Sequence, residues 1–199
     1  MSIPSGMVGK SEARGDARLT RRAWQRAALE ALIEGGAASV TVPRLAAKLG
    51  VTKGSFYWHF ESVDDLLTAA LQDWERIFTD ERLAAFRSLP AARRLEPWLK
   101  EIDANHPAQR LHLAIANAAD HPVVGKAFQR VTLKRIAFMA ATFEELGFKK
   151  ADARSRALAL HTSYLGFLQL ANYAPRAIGR SAKERSADAS HLFALLTTK

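Results

Sequence analysis

The residues best suited to chemistry stand in one short run, Thr52-Lys53-Gly54-Ser55-Phe56-Tyr57-Trp58-His59-Phe60. Lys53, Tyr57 and His59 have the reach to hold phosphates. Ser55 can bond to a base edge, Trp58 can cover a thymine methyl or a sugar, and Gly54 lets backbone approach closely. No carboxylate interrupts the run. At about 100° per residue, Phe56, Tyr57 and Phe60 share one arc of a short helix, while Gly54, Ser55, Trp58 and His59 share the other. The first arc reads as a core face and the second as a face for contact with double-stranded DNA. The rival reading is a helical hairpin that never touches DNA.

Such a face needs a rigid platform. Residues 41–50 supply a preceding short helix, with Val42, Leu45, Ala46 and Leu49 at helical spacing. Thr41 can cap its start and Pro43 fits its first turn. Gly50 can take the left-handed conformation that ends it, and Thr52 can cap the helix that follows. Two short helices joined by a tight turn, the second presented outward, form a helix-turn-helix reader of the major groove. Upstream, residues 19–35 predict a supporting helix. Its apolar stripe is Trp24, Ala27, Ala28, Ala31 and Leu32, Thr20 is its cap, and Gly35 and Gly36 end it.

The run from Gly50 through Ser62, with Ala46 and Leu49 ahead of it, resembles the recognition helix of the tetracycline-repressor (TetR) family of bacterial regulators. The resemblance covers roughly residues 19–71 in detail. It implies a DNA-binding head on a helical body whose last two helices pair in a homodimer, and it implies that Thr41 and Arg44 contact the DNA backbone or a groove edge. One departure weakens a phosphate contact. The family usually has a lysine after the phenylalanine, and here Glu61 follows Phe60.

Charge follows the same division. Of a net charge of +9, residues up to Phe60 carry nine basic against four acidic side chains, so the excess is densest where a polyanion would sit. Lys10, Arg14 and Arg18 predict a basic arm that follows a minor groove, or a solvated tail without a role. The absence of cysteine excludes disulfides, zinc ribbons and thiol nucleophiles. There is no Gly-rich phosphate loop and no Gly-x-Ser-x-Gly elbow. Histidines 59, 106, 112, 121, 161 and 191 are scattered, with no pair at the i, i+4 spacing of a helical metal site. Enzymatic, cofactor and metal roles are therefore not expected; a metal held by Asp103, His106 and distant residues is the weak exception. The N-terminus lacks the apolar core of a signal peptide. Residues 157–175 carry no formal charge but include His161, Thr162, Ser163, Gln169 and Asn172, so they predict a helix buried in protein rather than in a membrane. A cytoplasmic protein is expected.

The remaining chain predicts only helices, giving an all-α fold of about nine. A basic arm (1–18) and a three-helix DNA-binding head (19–62) precede a larger effector-binding and dimerisation body (63–199). One long helix is expected over 62–86, capped by Ser62, with an apolar face of Leu66, Leu67, Ala70, Leu71, Trp74, Ile77 and Phe78. Others are expected over 95–104, 107–119, 122–146, 151–173 and 187–196, the one over 151–173 being the most buried. Trp74, Phe78, Trp98, Phe138, Phe143 and Tyr164, with His112, Asn117 and His161 as polar points, are the candidate lining of a pocket for a small, largely apolar effector. For each aromatic, ordinary core packing is the competing reading. Leu165, Leu168, Ala171, Leu192 and Leu195 are the candidate dimer face. The expected function is a ligand-released repressor that reads an inverted repeat. The alternatives are an activator or ligand-independent regulator, and a helical interaction protein without DNA binding.

Overall fold

A computed structural model describes residues 20–95, 98, 106–178 and 182–198. The basic arm and most of the helix expected over 95–104 lie outside the described residues. The fold is all-α, with no strand among the described residues.

Helix α1 (Arg21–Gly35) buries Trp24, Ala27, Ala28, Ala31 and Leu32, as its stripe requires, together with Leu29. A single 3-10 turn, Ala37–Ser39, leads to α2 (Val42–Leu49). Gly50 ends α2 at φ 69° and ψ 31°, a left-handed conformation that glycine adopts without a Cβ penalty. Helix α3 (Gly54–Tyr57) is one turn long. Thr20 and Thr41 occupy N-cap positions, yet neither side chain makes the capping bond; nor does a side chain cap α3. Ser62 does cap α4 (Val63–Glu75), accepting from the Asp65 N–H at 3.1 Å.

The helix expected over 62–86 runs on from α4, but not uniformly. Residues Arg76–Asp80 form a π-helical turn, and α5 (Glu81–Arg87) resumes the α-helix. A short α6 (Ala91–Arg94) follows Pro90. Then come α7 (Pro107–Asn117), α8 (Pro122–Glu145), α9 (Lys150–Tyr173) and α10 (Ala182–Thr197). Gly125 is required at the α7–α8 corner, because a Cβ there would lie 2.3 Å from the Ala119 carbonyl oxygen. α10 begins well before the residue 187 that the apolar pattern suggests: its charged first half consists of good helix formers but carries no apolar stripe.

Two cores result. One joins Trp24, Leu32, Leu45, Phe56 and Phe60 of the head to Leu66, Leu71 and Trp74 of α4 and to Ile115, Val124 and Val131. Trp24 and Phe56 meet edge to face, with ring centres 5.4 Å apart. The second contains Leu83, Leu95, Trp98, Phe138, Met139, Phe143, Leu160 and Leu168. α4 therefore belongs to the packing of both head and body, and the head is seated on it rather than hung from a linker. α9 is not the most buried helix of the protomer: Leu158 and Leu170 are exposed along it and Tyr173 at its end.

Candidate functional site

The head brings the predicted contact residues onto one surface. Phe56 and Phe60 point inward and are buried. Thr41, Arg44, Thr52, Lys53 and Gly54 are exposed, and Ser55 and His59 are half-exposed. Trp58 is 88% exposed. Tyr57 corrects the helical wheel: it is 66% exposed and joins the outer face, not the core. α3 ends at Tyr57, so a wheel drawn to Phe60 runs past the last helical residue. Trp58 and His59 stand in the turn that follows.

Cations flank this face, most of them tethered. The Arg44 guanidinium donates to Glu34 at 2.8 Å, and Lys48 lies 2.8 Å from Glu34 and 3.0 Å from Glu30. Hydrogen bonds from Lys48 and then Arg44 hold the Glu34 carboxyl below its ordinary range. Arg21 was not singled out in the sequence. It donates to the His59 carbonyl at 2.5 Å, and its guanidinium sits 4.2 Å above the Phe60 ring. It thus caps the carbonyl end of the recognition segment from the start of α1. An arginine at the first turn of a helix preceding the motif was the available clue.

The body gathers some of the predicted lining residues and disperses others. His112, His161, Tyr164 and Trp98 come together. The His112 ring lies 5.9 Å from Tyr164 and stacks on Trp74 at 5.8 Å, and Tyr164 meets Trp98 edge to face at 6.0 Å. Phe138 reaches the cluster through Phe86. Phe78 is half-buried beside it on the π turn. Two of these residues lie elsewhere. Asn117 is exposed and donates to the Tyr173 hydroxyl at 2.6 Å, beside a separate cavity of about 430 Å³ between α1, α7 and the end of α9. Phe143 packs on Phe148 at 5.7 Å, away from the histidines.

At the centre is a residue that sequence reasoning missed. Arg135 is 4% exposed. Its guanidinium donates to Thr79 Oγ1 at 3.1–3.2 Å and to the Phe78 carbonyl at 3.1 Å, and it lies 3.3 Å from His112 Nδ1. Burial brings its pKa down to about 10, against a small opposing effect of Tyr164. Burial first, and the Arg135 charge second, lower His161 from 6.5 to about 4. The same two causes, in that order, hold His112 well below its ordinary value. Both rings are therefore neutral at pH 7. Nearby, Glu75 is buried between Arg130 at 2.6 Å and Lys134 at 2.7 Å, and Lys134 also reaches Asp80. These pairs tie the end of α4 and the π turn to α8.

Of the predicted dimer residues, Leu168 is 1% exposed within the protomer and so packs inward. Leu165 and Leu192 are half-buried against the same core, Ala171 is also half-buried, and Leu195 is 61% exposed. No helix among the described residues is long and apolar enough to cross a membrane.

Residues 26–70 match the family described as bacterial regulatory proteins, tetR family. The uncharacterized HTH-type transcriptional regulator TtgW of Pseudomonas putida is 39% identical over 56 residues, 28% of this chain and 42% of that protein. The similarity to this relative thus spans less than half of its length. Over the whole fold, a transcriptional regulator of Rhodococcus sp. Rha1 superposes with a TM-score of 0.71 at 18% identity, covering 89% of this chain and 95% of that one. A protein of Saccharomonospora viridis described as a transcriptional regulator, solved in complex with choline, gives 0.68 at 20% identity, covering 86% and 93%. At such identities the likeness is one of fold. The head thus matches the tetR-family model over residues 26–70, and the whole chain shares the fold of these regulators.

Proposed function

We propose that this chain is a sequence-specific DNA-binding transcriptional regulator that works as a homodimer in the cytoplasm and is released from its operator by a small molecule held in the body. The observation that carries the reading is Trp58, 88% exposed beside Tyr57 on a face without carboxylates. Exposing two large aromatics to water has no folding benefit. Their cost is offset only when a partner covers them. Duplex DNA fits, because the first residues of α3 present Gly54 and Ser55 to base edges while Lys53, Tyr57 and His59 reach for phosphates. Arg21, exposed on the same side, supports the phosphate contact that the missing lysine would have made.

Dimerisation through α9 and α10 is supported by Leu158, Leu170, Tyr173 and Leu195, which are exposed on these two helices and at 41–65% leave an apolar face uncovered. These side chains, with Leu165, Ala171 and Leu192 beside them, replace Leu168 in the proposed face. Two heads joined this way would read an inverted repeat whose half-sites are about one turn, or one and a half, apart. Release follows from α4, which is packed against α1 of the head and against α8 of the body. A ligand that binds better when α4 is tilted shifts the population toward that state and misplaces both recognition helices. The choline complex of the Saccharomonospora protein, which shares this fold, supports a small molecule as the effector. Choline itself is a poor candidate here, because a cation would meet the Arg135 guanidinium. Repression is the simplest output, since a dimer seated across a promoter blocks polymerase.

The test is a titration of a random-sequence duplex at several salt concentrations. Affinity should fall steeply as salt rises, through release of counterions from several phosphate contacts. A chain with no duplex affinity at low salt would contradict the reading.

A further inference from the structure

Among the described residues, the interior of the body holds a charge without a matching charge. Every described acceptor that Arg135 reaches is neutral: the Thr79 hydroxyl, the Phe78 carbonyl and His112 Nδ1. The carboxylates of the facing helix are taken by other cations, Glu75 and Asp80 by Arg130 and Lys134, and Glu81 by Arg76. No ion pair of Arg135 occurs among the described residues. A guanidinium buried without an anion is costly, and proteins retain one only where something repays the cost.

Around it the polar atoms lack partners. Neither ring nitrogen of His161 is hydrogen-bonded, although the residue is 1% exposed. His112 Nε2 and Trp98 Nε1 are likewise unpartnered among the described residues. An indole N–H can only donate, and a neutral imidazole donates from one nitrogen. The guanidinium, 5.4 Å from the Trp98 ring, adds donors on the same side. The cluster is therefore rich in donors and poor in acceptors. The complementary group is an acceptor with one negative charge. The neutral histidines argue for a monoanion, since Arg135 is the one buried cation of the described cluster; Arg82 acts on it from a half-exposed position. The rings packed around the cluster are Trp74, Trp98, Phe128 and Tyr164, so the remainder of such a ligand is apolar or aromatic.

We propose that Arg135 is the anchor of the effector site, and that the effector class is a small monocarboxylate with an apolar or aromatic tail, its carboxylate taking guanidinium donors now given to Phe78 and Thr79. This deepens the reading of the body as a ligand-binding unit and rests on it. It also supplies the route of the signal. Phe78 and Thr79 belong to the π turn Arg76–Asp80, which joins α4 to α5. A π turn holds one extra residue against the regular helix and marks a place where the register can change. Arg135 braces that turn from the side. A carboxylate arriving on Arg135 loosens the brace, and α4 with the head seated on it can tilt.

The experiment uses the full-length chain and six probes: benzoate, phenylacetate and octanoate, and the amide of each. Thermal shift and calorimetry read binding, and a duplex selected for tight binding reads release. At least one acid should bind, raise Tm and lower duplex affinity, and its uncharged amide should bind roughly 30-fold more weakly or worse, as expected for loss of a buried charge pair. Arg135→Met should fold with an equal or higher Tm, keep duplex binding, and lose the response to acid. Arg135→Lys keeps the charge without the fork, so its response should be weakened but present; this variant serves if the methionine chain does not fold. Amides equal to acids, unchanged acid binding in either variant, or no binding by any acid would overturn the proposal. If acids bind but no duplex does, the regulator reading fails and the anion site stands. If duplexes bind and acids do not, the anion site alone fails.

Discussion

The head and the body bury different things. The head's interior is apolar: Trp24, Leu32, Leu45, Phe56 and Phe60 fill it, and no titratable side chain of residues 20–62 is buried. Its chemistry faces outward, on Trp58, Tyr57 and Ser55. The body does the reverse. It buries Arg135, His112, His161 and Glu75, and turns Leu158, Leu170 and Leu195 outward. A unit that reads a large, rigid polymer needs a stiff core and an external face. A unit that senses a small molecule, the role proposed for the body, must surround it, so its polar groups lie inside and are left short of partners until the ligand arrives.

That contrast can be broken most forcefully at Phe56. Phe56→Ala should destabilise the head by roughly 3–5 kcal/mol, through lost burial and an unfilled cavity. Urea denaturation followed by tryptophan fluorescence measures it. Two substitutions on the outer face come next. Trp58→Ala and Ser55→Ala should leave the denaturation midpoint unchanged, yet each should weaken binding to a selected duplex by roughly 1–3 kcal/mol if it removes a base contact. Unchanged duplex affinity in both would take the base-reading role away from this face.

The body is tested by acid. The folded state keeps His161 neutral down to about pH 4, whereas the unfolded chain protonates it near 6.5. The unfolded state therefore binds more protons between these values, and stability must fall as pH drops through that window and be complete above it. His112 acts in the same direction, and Arg135 and Tyr164 are the groups facing both. Denaturation midpoints from pH 7.5 to 5 should decline in the native chain, and the decline should be shallower in His161→Phe. The smallest effect belongs to the tethers. Glu34→Gln frees Arg44 and leaves Lys48 paired with Glu30 alone, with little effect on stability, as for other surface pairs. It should strengthen binding to random duplexes and steepen its dependence on salt.

The two regions were unequally legible in the sequence. The α1 stripe and the Gly50 turn follow from local rules, and the structure repeats them. Tyr57 was misplaced because a wheel presumes a continuing helix, and α3 stops after one turn. Leu168 was misplaced because an uncharged stretch carries no phase: with no polar side to mark, its inward and outward leucines look alike. Arg135 was not singled out; it stands beside Lys134, and two adjacent cations give no sign that one is buried. The spacing held the information, since Phe128, Val131, Phe138 and Met139 stand three, four or seven residues away on the same side of α8. An arginine on an apolar stripe is a question about its partner. The π turn had no visible mark in the local pattern, and the Arg135 contacts it receives come from a distant helix.

The most direct test of the account is selection of bound duplexes from a random pool by the purified chain at moderate salt. An enriched inverted repeat, with half-sites one or one and a half turns apart, is the predicted result for two α3 faces carried by one dimer. Recovery of unpatterned DNA, or of none, would contradict it.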